Sequence, residues 1–227
     1  MERRTILIKP ASSLCNMRCR YCFYADVSDH RAMKHYGIMD EKVSEKVIDA
    51  ACQDIEPGGS VTFAFQGGEP TLAGLDFFRH FVKYANHAAK NRKIYTDFTI
   101  QTNGLLIDHA WTAFLKENHF LVGLSMDGPS KYHDRYRVDC EGEGTWKRVS
   151  DTADLLKNAG VEFSVEDTAE VQKVEMKDEV PTALLIINKK GQFLDNVYQG
   201  LPSTGPSLCG TSVQSWLSQA VYMAGSN

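Results

Sequence analysis

The sequence predicts an α/β fold built on a parallel sheet that curves toward a barrel or half-barrel. Two observations carry the prediction. From Thr5 to Val165, five short β-branched runs alternate with four longer amphipathic stretches, the order that parallel strand and helix units produce. The segments directly after the strand runs hold cysteines, a Gly-Gly-Glu-Pro turn, an Asn-Gly and an Asp-Gly, and parallel sheets of this kind carry their reactive groups on such loops.

The five expected strands are Thr5 to Lys9, Val61 to Phe65, Asp97 to Gln101, Phe120 to Met126 and Val161 to Val165. Asp40 is a suitable N-cap for the first helix, in which Val43, Val47, Ala51 and Ile55 recur every four residues. The second helix runs from Leu75 to Ala89 with Phe78, Phe81, Val82 and Ala85 on one face. A third is expected over Asp108 to Glu117 and a fourth over Thr145 to Asn158, closed by Gly160 as its C-terminal glycine.

Past Val165 the composition changes. All His and Arg residues lie at or before Arg148, and Glu166 to Glu179 is a polar, acidic run that reads as a linker or a solvated helix. Ala183 to Tyr198 reads as a β-hairpin turning at Lys189-Lys190-Gly191, Gly200 to Gly210 as a loop, and Thr211 to Met223 as a short amphipathic helix. The expected organisation is a core over residues 1–165 and a divergent tail over 166–227 with a hairpin and helix appendage.

Composition narrows the function. With 25 Lys plus Arg against 29 Asp plus Glu the net charge is −4, which argues against a generally basic nucleic-acid binder. At 43% hydrophobic and 24% charged residues the chain can bury a core, unlike a disordered tail. No run approaches the ~18 consecutive apolar residues of a membrane span, and MERRTILIKPASS lacks the apolar stretch of a secretory leader, so a soluble, cytoplasmic protein is expected. Three of the six cysteines crowd into eight residues, which is too tight and uneven for a secreted disulfide framework and points to a metal in a reducing compartment.

Those three, Cys15, Cys19 and Cys22, follow the first strand with three and then two residues between them. Three thiolates on one loop suit a [4Fe–4S] cube with one iron left open, since a fully protein-bound cube takes four cysteines. The other reading is a Cys₃His zinc knot using His30 or His35, or buried structural thiols. Paired C-x₂-C knuckles are more usual for zinc, and the aromatics flanking Cys22, Tyr21 and Phe23, are less typical of it. Cys52 has the spacing of a buried helix face, where a free cysteine is a small core hydrophobe, while Cys140 and Cys209 form no cluster-binding spacing.

LIKPASSLCNMRCRYCFY, FAFQGGEPTLAGL, QTNGLLID, FLVGLSMDGP and HDRYRVDCEGEGTW occur in that order, and together they resemble the radical S-adenosylmethionine (SAM) superfamily. Within it, residues 1–165 are similar to the anaerobic sulfatase-maturating enzymes. The resemblance implies a partial (β/α) radical SAM barrel of about five parallel strands, with Cys15, Cys19 and Cys22 holding a [4Fe–4S] cluster whose open iron is chelated by SAM. Reductive cleavage of SAM then gives a 5′-deoxyadenosyl radical, which oxidises a Cys or Ser of a sulfatase to Cα-formylglycine. An external electron donor such as ferredoxin or flavodoxin is implied as a partner, with a sulfatase or other peptide as substrate, and neither nucleic acid nor membrane.

The same resemblance assigns residues to SAM. Gly67 and Gly68 let backbone approach the methionyl ammonium, and Glu69 supplies opposite charge nearby. Asn103 and Ser125 are candidates for the SAM carboxylate and ribose, Arg137 for the carboxylate, and Tyr24 for the neighbourhood of the adenine, with Gln66 and Asp127 facing substrate. The plainer reading of Asn103-Gly104 and Asp127-Gly128 is that they are turn residues. The family's substrate base falls where the resemblance stops, so no residue is assigned to it.

Sulfatase maturases resembling this chain also carry a cysteine-rich C-terminal domain with two auxiliary clusters, whereas only Cys209 follows Cys140 here. The sequence therefore supports SAM binding and cleavage more directly than full turnover. Two other readings stand beside maturation: a truncated, catalytically incompetent fragment, and a short radical SAM enzyme modifying another peptide or a small molecule.

Overall fold

A computed structural model describes residues 2–165, 169–177, 180–188 and 193–196. Five strands, β1 (Arg3–Ile8), β2 (Ser60–Phe65), β3 (Tyr95–Thr102), β4 (Leu121–Leu124) and β5 (Phe163–Val165), form one sheet in the order β1-β2-β3-β4-β5. Every pairing in it is parallel, and sequential strands are neighbours throughout. That is the curled arrangement expected from the alternating pattern.

One face of the sheet is dry. Val61, Phe63 and Phe65 of β2, Phe98 and Ile100 of β3, and Val122 and Leu124 of β4 are buried in one continuous core. The helices α2 (Glu41–Cys52), α3 (Leu75–Arg92), α4 (His109–Glu117) and α6 (Trp146–Ala159) contribute most of the rest, joined by Ile8 of β1 and residues of the connecting segments such as Phe120. Aromatic rings key α3 onto β2: Phe65 lies 4.8 Å from Phe78 and 4.9 Å from Phe81 between ring centroids, and Phe63 lies 5.1 Å from Phe81. Such offset and edge contacts add about 0.5–1.5 kcal/mol each beyond burial. Asp40 caps α2 through Lys42 N–H, Asp108 caps α4 through Trp111 N–H, and Gly160 closes α6 at φ +67°.

The opposite face is open and partly polar. The register sets Leu7, Ala64, Thr99 and Leu121 side by side across four strands, and Leu7 and Leu121 are 49% and 40% exposed. Gln101 pairs with Gly123 in the next row of that face.

Three expectations need correction. The buried side of α2 is Ser44, Ile48, Ala51 and Cys52, whereas Val43 is 48% exposed and Ile55, though buried, lies beyond the helix end. A strict step of four overshoots the 3.6-residue turn by about 40°, so it drifts off a face that i, i+4, i+7, i+8 follows. Two short helices, α1 (Phe23–Asp29) and α5 (Ser130–Tyr136), and a 3-10 turn at Pro70–Ala73 were not expected; at seven residues or fewer they are too short to show a period. Finally, the acidic run is neither linker nor helix over most of its length.

It contains β6 (Ala169–Lys177), which joins β7 (Val180–Asn188) and β8 (Phe193–Asn196) in an antiparallel sheet of order β6-β7-β8. The apolar residues Val171, Val174 and Met176 break strict alternation by one three-residue step, and the β6–β7 register shifts at that same step. The expected hairpin corresponds to the β7–β8 pairing, with Leu185 opposite Asn196 and Ile187 opposite Phe193. Its turn residues, Cys209 and the expected helix Thr211 to Met223 lie outside the described residues.

Candidate functional site

The cysteine loop leaves β1 at Ile8 and is held from two sides by backbone. From the loop after β2, Gly68 N–H donates to Ser12 O at 3.0 Å and Glu69 N–H to Leu14 O at 2.7 Å. This approach is what requires glycine: a Cβ on Gly68 would stand 2.0 Å from Leu14 O, and one on Gly67 (φ +126°) 2.8 Å from Ser12 O. The Gly-Gly pair thus seats the cysteine loop directly. From the other side, Arg18 N–H donates to Val138 O at 2.7 Å and Arg20 N–H to Tyr136 O at 2.9 Å, and Met17 bridges Asp139. Cys15, Cys19 and Cys22 are free thiols of intermediate exposure on this clamped loop, with Cys22 at the start of α1.

Glu69 is 1% exposed and turned into the protein. Its Oε1 accepts from Thr71 N–H (3.0 Å), Thr71 Oγ1 (2.7 Å) and Thr102 Oγ1 (2.7 Å), and its Oε2 from Asn103 N–H (2.7 Å). Burial pushes its carboxyl above the usual carboxylate range, against the opposing pull of those donors. Glu69 therefore ties the loop after β2 to the end of β3. Asn103, so fixed, donates from Nδ2 to Asn16 Oδ1 at 2.8 Å and to Cys15 Sγ at 3.7 Å. The second and third loops converge on the first cysteine.

The fourth loop reaches the cysteine loop at Tyr21, between the second and third cysteines. Asp127 Oδ2 lies 2.8 Å from Arg137 Nε and accepts from the Tyr21 hydroxyl, while the Arg137 guanidinium sits 5.5 Å from the Tyr21 ring centroid. Burial opposes the Asp127 charge, but Arg137 and Tyr21 outweigh it and hold the carboxyl below the usual range. Ser125 Oγ accepts from Gln101 Nε2 at 2.9 Å. Gln101 reaches it by crossing Gly123, where a Cβ would meet Gln101 Oε1 at 2.1 Å. Gln66 continues the open face beyond Ala64, and Tyr24 carries Lys9 Nζ 4.9 Å above its ring.

Apart from Tyr24, which lies on α1, the residues expected at the site lie on the cysteine loop, on the loops after β2, β3 and β4, or on the strand-like segment paired with the cysteine loop. Within that set, Asp127 and Arg137 pair with each other, and the Glu69 carboxylate faces inward. Tyr21 and Gln101 were not singled out as site residues. Their signal, an aromatic between two ligand cysteines and a polar residue of strand parity before Asn103, gains meaning only from the register.

The donor set fits an iron–sulfur cluster. Burial pushes the Cys15 thiol up to about 12 and raises Cys19 as well, and a cation bound there would offset that cost and favour the thiolates. A cubane takes three thiolates at separate corners, which three cysteines on one clamped loop can supply.

A parallel β/α sheet whose first loop presents three cysteines to the ends of the next three strands defines a radical SAM core. The Radical SAM superfamily model matches residues 10–183, and the chain belongs to that superfamily. It is similar to a cysteine-type anaerobic sulfatase-maturating enzyme of Clostridium perfringens, at 51% identity over 166 residues, 73% of this chain and 44% of the relative. A serine-type anaerobic sulfatase-maturating enzyme of Bacteroides thetaiotaomicron is 33% identical over 159 residues, covering 70% of this chain and 38% of its own length. Among solved structures, native anSMEcpe with bound AdoMet and Kp18Cys peptide superposes with a TM-score of 0.64 at 47% identity, covering 72% of this chain and 43% of that one. The chain thus spans less than half the length of these relatives. No helix among the described residues is long and apolar enough to cross a membrane.

Proposed function

We propose that this chain is the SAM-cleaving core of an anaerobic sulfatase-maturating enzyme. Cys15, Cys19 and Cys22 would hold a [4Fe–4S] cluster, and SAM would bind on the open face of the sheet among Gly67, Gly68, Asn103 and Ser125. The observation that carries the reading is the clamped cysteine loop, onto which Glu69 and Asn103 bring the second and third strand ends. When bound, the cluster and SAM together supply a one-electron reductive cleavage and a hydrogen-abstracting radical.

The chain's own residues bind and orient. Gly67 and Gly68 bring the turn backbone against the cysteine loop, Glu69 fixes Asn103 beside Cys15, and the Gln101–Ser125 pair offers hydroxyl and amide groups on the same face. Tyr24, on α1, would border the adenine, and Gln66, directly after β2, and Asp127, after β4, would face a peptide cysteine or serine destined for Cα-formylglycine. A low-potential donor of the ferredoxin or flavodoxin kind would reduce the cluster in a reducing cytoplasm, where Cys52 and Cys140 would stay unpaired thiols.

Anaerobic protein reconstituted with iron and sulfide is given dithionite and SAM, and 5′-deoxyadenosine is measured against a Cys15→Ala, Cys19→Ala, Cys22→Ala control. Production above the control is expected; protein that holds about four irons yet yields none would sink the reading. A Cys-containing sulfatase peptide added to the active protein then separates maturation from other peptide or small-molecule chemistry, because unmodified peptide beside active SAM cleavage would count against maturation.

A further inference from the structure

We propose that Asp127 and Arg137, tied through Tyr21 to the stretch of loop between Cys19 and Cys22, form a compensated charge pair that sets the reduction potential of the cluster. This rests on the reading that Cys15, Cys19 and Cys22 hold an iron–sulfur cluster. Tyr21 lies between Cys19 and Cys22 in the chain, and its hydroxyl donates to Asp127 while Arg137 covers its ring at 5.5 Å. Asp127 and Arg137 are themselves 2.8 Å apart, so both charges meet the cysteine loop at Tyr21.

The pair is held in place by its surroundings. Arg137 N–H donates to His133 O at 2.7 Å, Thr145 Oγ1 donates to Arg137 O at 2.9 Å, and Asp127 N–H donates to His133 Nδ1 at 3.2 Å. Trp146 Nε1 fixes the neighbouring Gly128 O at 2.9 Å. The two side chains are only 17% and 23% exposed, so solvent and salt screen them weakly. Reduction adds one electron to the cluster, and a fixed cation nearby favours the reduced form while a fixed anion disfavours it. Arg137 and Asp127 push in opposite directions, and their balance leaves the potential low enough for a strong reductant.

The test is an anaerobic redox titration of the reconstituted protein, followed by electron paramagnetic resonance in the absence of SAM. Asp127→Asn leaves the guanidinium uncompensated, and its midpoint is expected to move positive. Arg137→Gln leaves the carboxylate uncompensated, and its midpoint is expected to move negative. Arg137→Lys keeps the charge and should return toward the parent value, which also decides the matter if Arg137→Gln fails to hold a cluster.

An Asp127→Asn midpoint equal to the parent's overturns the proposal. So do shifts of the same sign in Asp127→Asn and Arg137→Gln, because loosened packing and water entry would move both one way. If the pair served only to bind SAM, SAM affinity would fall while the SAM-free midpoint stayed put, again against the proposal. A parent that holds no reducible cluster instead overturns the reading on which it rests.

Discussion

Buried Glu69 and part-buried Asp127, both near the cysteine loop, differ in charge environment, and acid should separate them. Asp127 has a folded pKa held below 3.8 by Arg137 and Tyr21, so the stability it contributes is present above the unfolded value and lost as pH falls through the folded one. Glu69 is raised by burial above its ordinary 4.5, so its contribution is full below the unfolded value and is lost as pH rises through the raised one. Urea titrations of the cluster-free protein from about pH 3 to about pH 7 should therefore show an Asp127→Asn variant with a flatter acid limb than the parent; a parallel limb would show that the Arg137 contact adds nothing. Glu69→Gln places an amide NH₂ where the carboxylate faces only donors, and should cost about 1–3 kcal/mol by the same measurement. The three-cysteine loop was legible in the sequence because its spacing is local. The partners of Asp127 were not, since Tyr21 is 106 residues away in the chain and only the strand order brings them together.

The elements show the same division between local and distant information. α3 and α6 were readable because their apolar faces, Phe78-Phe81-Val82-Ala85 and Val149-Leu156, are encoded within the helix itself, although α3 runs on to Arg92, three residues past its expected end at Ala89. In α2 the buried face is one residue away from the expected one, and β6 hides behind a register shift; both follow from packing partners that a local period does not contain. The turn after β2 is the element on which the site turns, because Gly68 touches backbone and no side chain can yield to a methyl group there. Gly68→Ala should destabilise the protein by about 1–3 kcal/mol, the usual cost of overpacking, and should also lower the iron retained after reconstitution. Gly74→Ala, at a positive φ with nothing within 4 Å, offers the comparison: backbone strain without displacement of the cysteine loop. Equal iron retention in the two variants would show that the Gly68 contact does not seat the loop.

At the scale of the whole molecule, the cysteine loop springs from β1, an outer strand of the five-stranded sheet, while β2, β3 and β4 are interior. An outer strand has one ladder, so the order of the loop that follows it depends on ties from elsewhere: the Gly68 and Glu69 amides on one side, the Val138 and Tyr136 carbonyls on the other. Hydrogen exchange reads this directly, since amides open locally or only with global unfolding according to the cooperative unit they belong to. Amides of β2 and β3 should exchange only with global unfolding, and those of β5, the other outer strand, at least about tenfold faster, a difference of ~1.4 kcal/mol. The Arg18, Arg20, Gly68 and Glu69 amides should be protected like β2 although they lie in loops, because each donates to a carbonyl of another loop or segment between 2.7 and 3.0 Å away. Gly68→Ala should release those four together while leaving β3 unchanged. If they exchanged as fast as β5 in the parent, the loop would be ordered only by its metal, and the clamp would have no part in preparing the site.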